Sequence, residues 1–398
     1  MMEPAGPESA LPRAFLRVGG ISLARHQLGL VLALGCERIV CIARGLGSEL
    51  VELQHVAEDH GARFHVVSGP RGLVGLITAN DELIVLADGL LADPDDAVAQ
   101  IEHGQGVLVQ PIELGQPAGF ERIDLNHSAA GAMRLPGSLV ERLAELPADC
   151  DTVSSLQRIA LQAGVAQRML PSGLREGGAW RLLRDENEAH LAEGEWFRQH
   201  TGITPASSIS EIGARAAVRS IGPALMHSGS GGNAVGILAF VAALLALGAG
   251  WFQFSATALF LCVAADVSRR AASLLLRIER NSLNLPRSFL PRQVVFGWGL
   301  DIVLVLILSW SQPLAPGGRL FAHAFPAIML VAMLRLIPQL LHTRWVHWLE
   351  DRGLFALVLG LVIVAAGGMP SSLVAALAVV LALLGAAWPD RPARLTRA

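Results

Sequence analysis

The sequence of 398 residues contains neither lysine nor tyrosine, so all 31 of its basic residues are arginine. Chemistry that requires a lysine is therefore excluded. A genome rich in G and C explains arginine in place of lysine without a functional cause. The formal net charge of −3 predicts neither nucleic acid nor an acidic substrate as a partner.

Cysteine is also scarce, and the four residues Cys36, Cys41, Cys150 and Cys262 lack CxxC or Cys/His ligand spacing. Neither a zinc site nor a disulfide framework is indicated, and the four thiols are expected to be small buried groups in a reducing compartment. The first residues, MMEPAGPESALPR, lack the basic and apolar regions of a cleavable signal peptide. The N-terminal half is therefore expected in the cytoplasm.

Hydropathy divides the chain unevenly, and its mean of +0.48 averages two different regimes. Residues 1–200 mix charges with short apolar runs and predict a soluble cytoplasmic domain. Residues 229–398 are dominated by apolar segments close to the ~20 residues that a bilayer crossing needs, and predict a helical membrane domain. Residues 201–228 are interpreted as an amphipathic juxtamembrane connector.

Helical and strand-like patterns alternate in the first 90 residues. The spacing of apolar residues predicts helices, and β-branched runs predict strands. Such alternation favours an open, mostly parallel α/β sheet. The expected helices cover 23–34, 49–60 and 72–79, the expected strands cover 38–43, 63–67 and 82–87, and a helical pair is expected over 137–164.

The last of these strands is followed by Asp88 and Gly89. Ligands of open α/β sheets bind at the carboxyl ends of strands, and Asp88 is expected at such an end. The alternative is that Asp88 only forms a turn with the glycine that follows it.

Two blocks carry a resemblance to a known family. PRAFLRVGGISLARHQLGLVLALGCERIVCIAR and ELIVLADGLLAD resemble conserved blocks of the sugar-1-phosphate nucleotidyltransferases, which have the MobA-like, GT-A/Rossmann-like fold. The resemblance implies a substrate-binding role for Arg13, Gly19 and Gly20, and a metal-binding role for Asp88. The family also begins with a strand and a glycine-rich phosphate loop, and MMEPAGPESA supplies neither. A plain turn is the alternative for the two glycines.

A polar, helical stretch is expected over 180–219, just ahead of the first apolar segment. Arg215 and Arg219 lie one turn apart on it. They are candidates for binding the phosphate of a lipid or ligand at the membrane surface. The alternative is that they serve only the positive-inside rule.

Six membrane spans are expected, at 233–252, 254–277, 293–310, 322–341, 354–368 and 371–388. Arginines concentrate in alternate connections and in the tail: Arg277, Arg280, Arg287, Arg292, Arg344, Arg352, Arg391, Arg394 and Arg397. By the positive-inside rule these connections are cytoplasmic. The sequence thus predicts a multi-pass protein of the bacterial inner membrane with both termini in the cytoplasm.

The second and third expected spans each contain one aspartate, Asp266 and Asp301. A carboxylate inside a membrane costs at least a few kcal/mol, so intramembrane acids are functional candidates by default. They usually face a cavity, a metal ion or a charged partner.

The strings around these acids, CVAADVSRRAASLLLRI and FGWGLDIVLV, resemble the halves of the CDP-alcohol phosphotransferase signature, DxxDGxxAR and GxxxDxxxD. Asp266 matches the first aspartate, and Gly297 with Asp301 matches GxxxD. The resemblance implies that Asp266 and Asp301 are catalytic and bind Mg²⁺ or Mn²⁺, with Gly297 at the substrate. The remaining signature positions hold other residues: Arg269, Arg270, Ser273, Leu274 and Val305.

The order of the two domains resembles the bifunctional inositol-phosphate cytidylyltransferase/CDP-alcohol phosphotransferase family. This implies a transferase of polar-lipid or phosphodiester head-group synthesis. The implied partners are membrane lipid, a nucleotide or CDP-alcohol, and a second copy bound through the membrane helices.

The alternative is a catalytically inactive membrane scaffold or regulator, without a metal, in which Arg269 and Arg270 pair with the two acids. A transporter is disfavoured, because no expected span is interrupted by paired Gly or Pro in a repeated arrangement.

Overall fold

A computed structural model describes residues 3–6, 9, 11–43, 45, 47–147, 150–202, 208–227, 231–283, 292–312, 320–340, 348, 350–368 and 371–387. The chain divides into two compact units, Met1–His200 with Arg277–Pro286 and Thr201–Leu276 with Arg287–Ala398. The first unit is mixed α/β and the second is helical.

In the first unit, the described strands are β1 (Arg17–Val18), β2 (Ile21–Ser22), β3 (Arg38–Ile42), β4 (Arg63–Val67), β5 (Glu82–Leu86), β6 (Leu90–Ala92), β7 (Gly106–Pro111), β8 (His127–Pro136), β9 (Gln167–Met169) and β10 (Trp180–Leu182). Its described α-helices are α1 (Leu23–Ala33), α2 (Ser48–Asp59), α3 (Pro94–Glu102), α4 (Ile112–Gly115), α5 (Thr152–Gln162), α6 (Ser172–Glu176) and α7 (Glu186–Gly202). Short 3-10 helices cover Arg13–Phe15, Pro70–Gly72 and Gly137–Glu145.

The sheets of the first unit are mixed in direction. β3 and β4 form a parallel pair, and a second sheet has the strand order β5-β8-β7-β9. The expectation of a mostly parallel sheet is wrong for the second sheet, because β8 runs antiparallel to both of its neighbours. The connection from β7 to β8 contains only the four-residue α4 and turns, and not the long crossover helix that usually joins parallel strands.

The helices and strands expected before residue 72 and the strand at 82–87 are confirmed within two residues. The helix expected over 72–79 is wrong. The chain there makes a 3-10 turn at Pro70–Gly72 and then further turns, with Gly75 at φ +95°. This left-handed conformation ends a helix, and glycine adopts it at no steric cost.

The core of the first unit lies on both faces of the larger sheet. Val107 and Val109 of β7 pack in one apolar cluster with α5, whereas Leu108 packs in another with α3. This follows from the alternation of side chains along a strand. β7 is buried along nearly its whole length, as a strand paired on both edges and covered on both faces should be.

The described helices of the second unit are α8 (Ile209–His227), α9 (Gly231–Trp251), α10 (Ser255–Leu283), α11 (Arg292–Trp310), α12 (Leu320–Leu340), α13 (Arg352–Ala366) and α14 (Ser371–Ala387). Helices α9 to α14 coincide within a few residues with the six expected apolar segments. They share one buried cluster, to which Ala246, Leu259, Leu304, Leu330 and Leu359 belong.

By length and composition, one described helix, α9, is apolar enough to cross a membrane. Shorter apolar stretches occur at Val294–Trp310, Ala324–Pro338, Arg352–Ala366 and Leu373–Leu383. Large apolar side chains are also exposed on the outside of this unit, among them Leu238, Phe240, Leu245, Ile302, Leu361, Val364, Val379 and Leu383.

Candidate functional site

The first predicted acid, Asp266, lies on α10 with its side chain fully buried. Residues three and four positions further along a helix lie on the same face, and here both are arginine. Arg269 donates to Oδ1 of Asp266 from Nη2 at 2.6 Å and from Nε at 3.1 Å. Arg270 donates from Nε to Oδ2 at 2.9 Å. Both carboxylate oxygens of Asp266 are therefore bound to guanidinium groups of its own helix.

The second predicted acid, Asp301 on α11, has partners from two other helices. Nε of Arg352, the first residue of α13, donates to Oδ1 of Asp301 at 2.7 Å. Nε of Arg335 on α12 lies 3.0 Å from Oδ2. The Arg335 guanidinium also stacks 3.4 Å from the ring centroid of Trp298. Asp301 thus joins three helices through two charge-assisted contacts.

Asp351, a fully buried acid that the sequence did not single out, precedes Arg352 in the chain and lies near Arg270. It is the N-cap of α13, and its Oδ1 accepts from the backbone N–H of Leu354 at 3.1 Å. Its Oδ2 accepts from the backbone N–H of Ser210 on α8 at 2.8 Å. Nη2 of Arg270 lies 3.7 Å from Asp351 Oδ1. One carboxylate therefore caps a helix, holds a second helix and approaches the Asp266 pair.

Gly353 lets these elements pack closely. A Cβ atom at this position would collide with Oγ of Ser210 and would lie 3.3 Å from Oδ2 of Asp266. The start of α13 is thus in close contact with α8 and α10. We call the seven residues that meet here the buried ionic cluster: Asp266, Asp301, Asp351, Arg269, Arg270, Arg335 and Arg352.

The cluster does not present a donor set suited to a divalent cation. Within the part of the chain that the structure describes, no three His, Cys, Asp or Glu side chains converge in a way that could hold a metal ion. Two guanidinium groups already bind each of the predicted metal ligands, Asp266 and Asp301. A divalent ion 4 Å from one guanidinium would meet a repulsion of about 8 kcal/mol at an effective dielectric constant of 20.

Three members of the cluster were missed in the sequence or interpreted differently. Arg352 was assigned to a cytoplasmic connection, but its side chain is buried against Asp301. Arg335 could have been recognised in the sequence, because a charged residue inside an apolar segment needs a partner. Asp351 stands directly before an apolar helical run, as N-cap residues do.

Gly297 and the arginines of α8 lie at different places in the second unit. Gly297 is one turn before Asp301, and an added Cβ would meet nothing within 4 Å. Arg215 is buried, and its Nη2 lies 2.6 Å from Oε1 of Glu211, one turn earlier. Arg219 is exposed. The predicted one-turn spacing of the two arginines is present, but only Arg219 lies at the surface.

In the first unit, the structure brings Arg13 and Asp88 to one place. Asp88 follows β5, and its Oδ2 accepts from the backbone N–H of Glu3 at 3.1 Å. The Glu3 carboxylate pairs with Arg13. The Arg13 side chain also lies beside Gly89, whose φ is +85°. Glu3 therefore links the two residues at the carboxyl end of β5.

Gly19 and Gly20 form the two-residue turn of the β1–β2 hairpin, with φ values of +65° and +75°. The backbone N–H of Gly19 donates to Oε1 of Glu193 at 2.9 Å. A Cβ on Gly19 would lie 2.5 Å from the Trp196 ring. The turn conformation thus explains glycine at both positions, and the Gly19 amide is already hydrogen-bonded to Glu193.

Comparison with known protein families and with curated proteins adds no assignment. The chain matches none of them.

Proposed function

We propose that this chain is a membrane-integrated relative of the bifunctional nucleotidyltransferase/CDP-alcohol phosphotransferase proteins, whose membrane unit acts as a scaffold or regulator rather than as a catalyst. One observation carries the proposal: each of the two acids that would bind the metal is held by two arginines. The fixed guanidinium groups neutralise the acids and oppose a divalent cation by direct repulsion.

The arrangement of the cluster supports a structural role for the acids. Removing one partner from a buried ion pair leaves an uncompensated charge, which costs about 3–5 kcal/mol. Asp301 joins α11 to α12 and α13, and Asp351 joins α13 to α8. The cluster thus fixes the relative positions of helices whose other contacts are apolar and less directional.

We further propose that α9 to α14 are six membrane spans, with both termini in the cytoplasm. The exposed apolar side chains on these helices support a lipid-facing surface, because soluble monomers rarely expose large contiguous apolar patches. The distribution of arginines over alternate connections supports the orientation. Of these arginines, Arg287, Arg344, Arg391, Arg394 and Arg397 lie outside the described residues.

Membrane integration is tested by extracting cell membranes at alkaline pH. We expect the full-length chain to remain in the membrane pellet and to be released only by detergent. Release at alkaline pH without detergent would contradict the proposed spans, because it is typical of peripheral proteins.

The absence of catalysis is tested by CMP release from a CDP-alcohol. The full-length protein, purified in lipid nanodiscs, is incubated with CDP-inositol or CDP-glycerol, Mg²⁺ or Mn²⁺, and a phosphoalcohol acceptor. We expect no CMP above that released with empty nanodiscs. Metal-dependent release that is lost in a folded Asp301→Asn variant would overturn the proposal and restore the transferase function.

A further inference from the structure

The two sheets of the first unit leave a gap between strands β3 and β5. Among the described residues, β3 pairs only with β4, and β5 pairs only with β8. Each strand therefore has one edge without a neighbouring strand. Such an edge presents a row of backbone N–H and C=O groups that can pair with another strand.

A cavity of about 660 Å³ is lined by both strands and also by residues of α1, α5 and β8, and we call it the β3–β5 cleft. Every residue of β3 and every residue of β5 lines it. Successive side chains of a strand point to opposite faces, so a cavity on one face would be lined by alternate residues only. Lining by five consecutive residues of each strand shows that the cleft is not confined to one face of β3 or of β5.

The size of the cleft corresponds to one strand. A strand of five residues is about 17 Å long, and in a sheet it occupies about 4.8 Å of width and about 10 Å of depth, or roughly 800 Å³. The cleft volume of about 660 Å³ is of the same order.

The burial of side chains also indicates that β3 and β5 lack a neighbouring strand. The apolar residues Ile39 and Val40 of β3 and Ile84 and Val85 of β5 are only partly buried. The corresponding residues of β7, which pairs on both edges, are fully buried.

After its first residue, each of the two lining strands is apolar. Within β3 and β5 the only charged residues are Arg38 and Glu82, and each is the first residue of its strand. Burial raises the pKa of the Cys41 thiol to about 12, so this group in β3 stays neutral. An occupant must therefore present apolar side chains along its length and backbone groups to both edges.

We propose that the β3–β5 cleft accepts an extended, uncharged β-strand of about five residues from a partner protein, which completes the sheet by strand addition. The backbone of the inserted strand would pair with β3 on one side and with β5 on the other. Its apolar side chains would cover the partly buried residues of both. Strand addition of this kind obtains affinity from backbone hydrogen bonds and specificity from alternate side chains.

The proposal is tested by amide hydrogen exchange on the full-length protein in nanodiscs. The probe is the peptide acetyl-Ser-Val-Thr-Val-Thr-Val-Ser-amide. Its matched control carries N-methyl groups on all five Val and Thr amides, which removes the donors to both edges without changing the side chains. We expect the probe to slow exchange of unpaired edge amides in β3 and β5 by at least about tenfold, and the control to have no effect. β7 serves as an internal reference, because both of its edges are already paired.

A second experiment, in which the strand is fused to the protein, excludes weak binding of the free peptide as the cause of a negative result. The first described residues lie at the mouth of the cleft, since Pro4 lines it and Glu3 contacts Asp88. Joining the same strand ahead of Met1 through a flexible Gly/Ser linker raises its effective concentration to about the millimolar range. Unchanged exchange in β3 and β5 in both versions would overturn the proposal. Equal protection by the N-methylated control, or protection of the same amides by CTP alone, would overturn it too, the latter in favour of a nucleotide pocket.

Discussion

At the scale of single residues, the two predicted acids differ in where their partners come from. Asp266 is paired from within its own helix, at positions three and four residues later. Asp301 is paired by Arg335 and Arg352, from helices that follow much later in the chain. The first pairing can be predicted from helical periodicity. The second depends on how helices pack, and a single sequence does not contain that information in a readable form.

Replacing Asp301 tests the cost of this arrangement. Asp301→Asn leaves Arg335 and Arg352 without their shared anion, and Arg352 is nearly fully buried. We expect a loss of about 3–5 kcal/mol in the free energy of unfolding of the helical unit. Thermal unfolding of the full-length protein in detergent should show a fall in Tm of about 6 °C or more.

Glu52→Gln, at an exposed position on α2, is the control for the loss of one negative charge. It should change the Tm by no more than about 1 °C, since exposed substitutions usually have small effects. Equal Tm values for the two variants would show that Asp301 does not hold the helices together.

Comparing alanine substitutions at Gly19 and Gly35 separates the cost of backbone strain from the cost of steric overlap. Gly19 and Gly35 both have positive φ, +65° and +72°. An added Cβ meets Trp196 at Gly19 but meets nothing within 4 Å at Gly35. Gly35→Ala should therefore cost only the left-handed strain of about 1–2 kcal/mol. Gly19→Ala should cost about 1–3 kcal/mol more because of overpacking against the ring.

The comparison is measured as the difference in unfolding free energy between the two variants in urea. If Gly19→Ala is no worse than Gly35→Ala, the close contact with Trp196 does not constrain the hairpin turn.

At the scale of elements, the local sequence predicted most helices and strands but did not predict how the strands pair. The helix at 23–34 and the strands at 38–43, 63–67 and 82–87 follow from apolar spacing and β-branched runs, and the structure confirms them. The direction of β8 was not predicted. It depends on the path of a connection whose short helix, α4, gives no periodic signal. The short helix expected over 72–79 failed because glycines interrupt an otherwise apolar stretch.

Removal of the N-cap of α13 can be compared with removal of the N-cap of α3. Asp351→Ala removes the cap, which costs about 1 kcal/mol, and leaves the buried N–H of Ser210 without an acceptor, which costs about 1–3 kcal/mol more. Asp93→Ala removes the N-cap of α3, where the side chain accepts from the following amides of Asp95 and Asp96. We expect Asp351→Ala to lower the Tm more than Asp93→Ala does.

Asp351→Asn keeps one acceptor oxygen and replaces the other with an NH2 group. It can therefore accept from the N–H of Leu354 or of Ser210 but not from both, and it also loses the charge near Arg270. Its Tm should lie between those of wild type and Asp351→Ala. A Tm for Asp351→Asn as low as that for Asp351→Ala would mean that one acceptor oxygen at this position does not stabilise α13.

At the scale of the whole molecule, the chain consists of a mixed α/β unit with an open cleft and a helical unit with a buried ionic cluster. Composition predicted this division into two classes of structure. It could not predict that Arg335, Asp351 and Arg352 would converge with the two acids, because their sequence positions are far apart. In both units, the acids that the family resemblance assigns to a metal ion, Asp88, Asp266 and Asp301, contact other parts of the same chain.

We propose that arginines, and not a metal ion, neutralise Asp266 and Asp301. A Mn²⁺ titration of the full-length protein in nanodiscs, followed by electron paramagnetic resonance of the free ion, tests this. Asp88→Asn is measured alongside, so that binding in the α/β unit is recognised separately. We predict no saturable Mn²⁺ binding that depends on Asp266 or Asp301. One Mn²⁺ bound per chain, retained in Asp88→Asn and lost in both Asp266→Asn and Asp301→Asn, would contradict the claim.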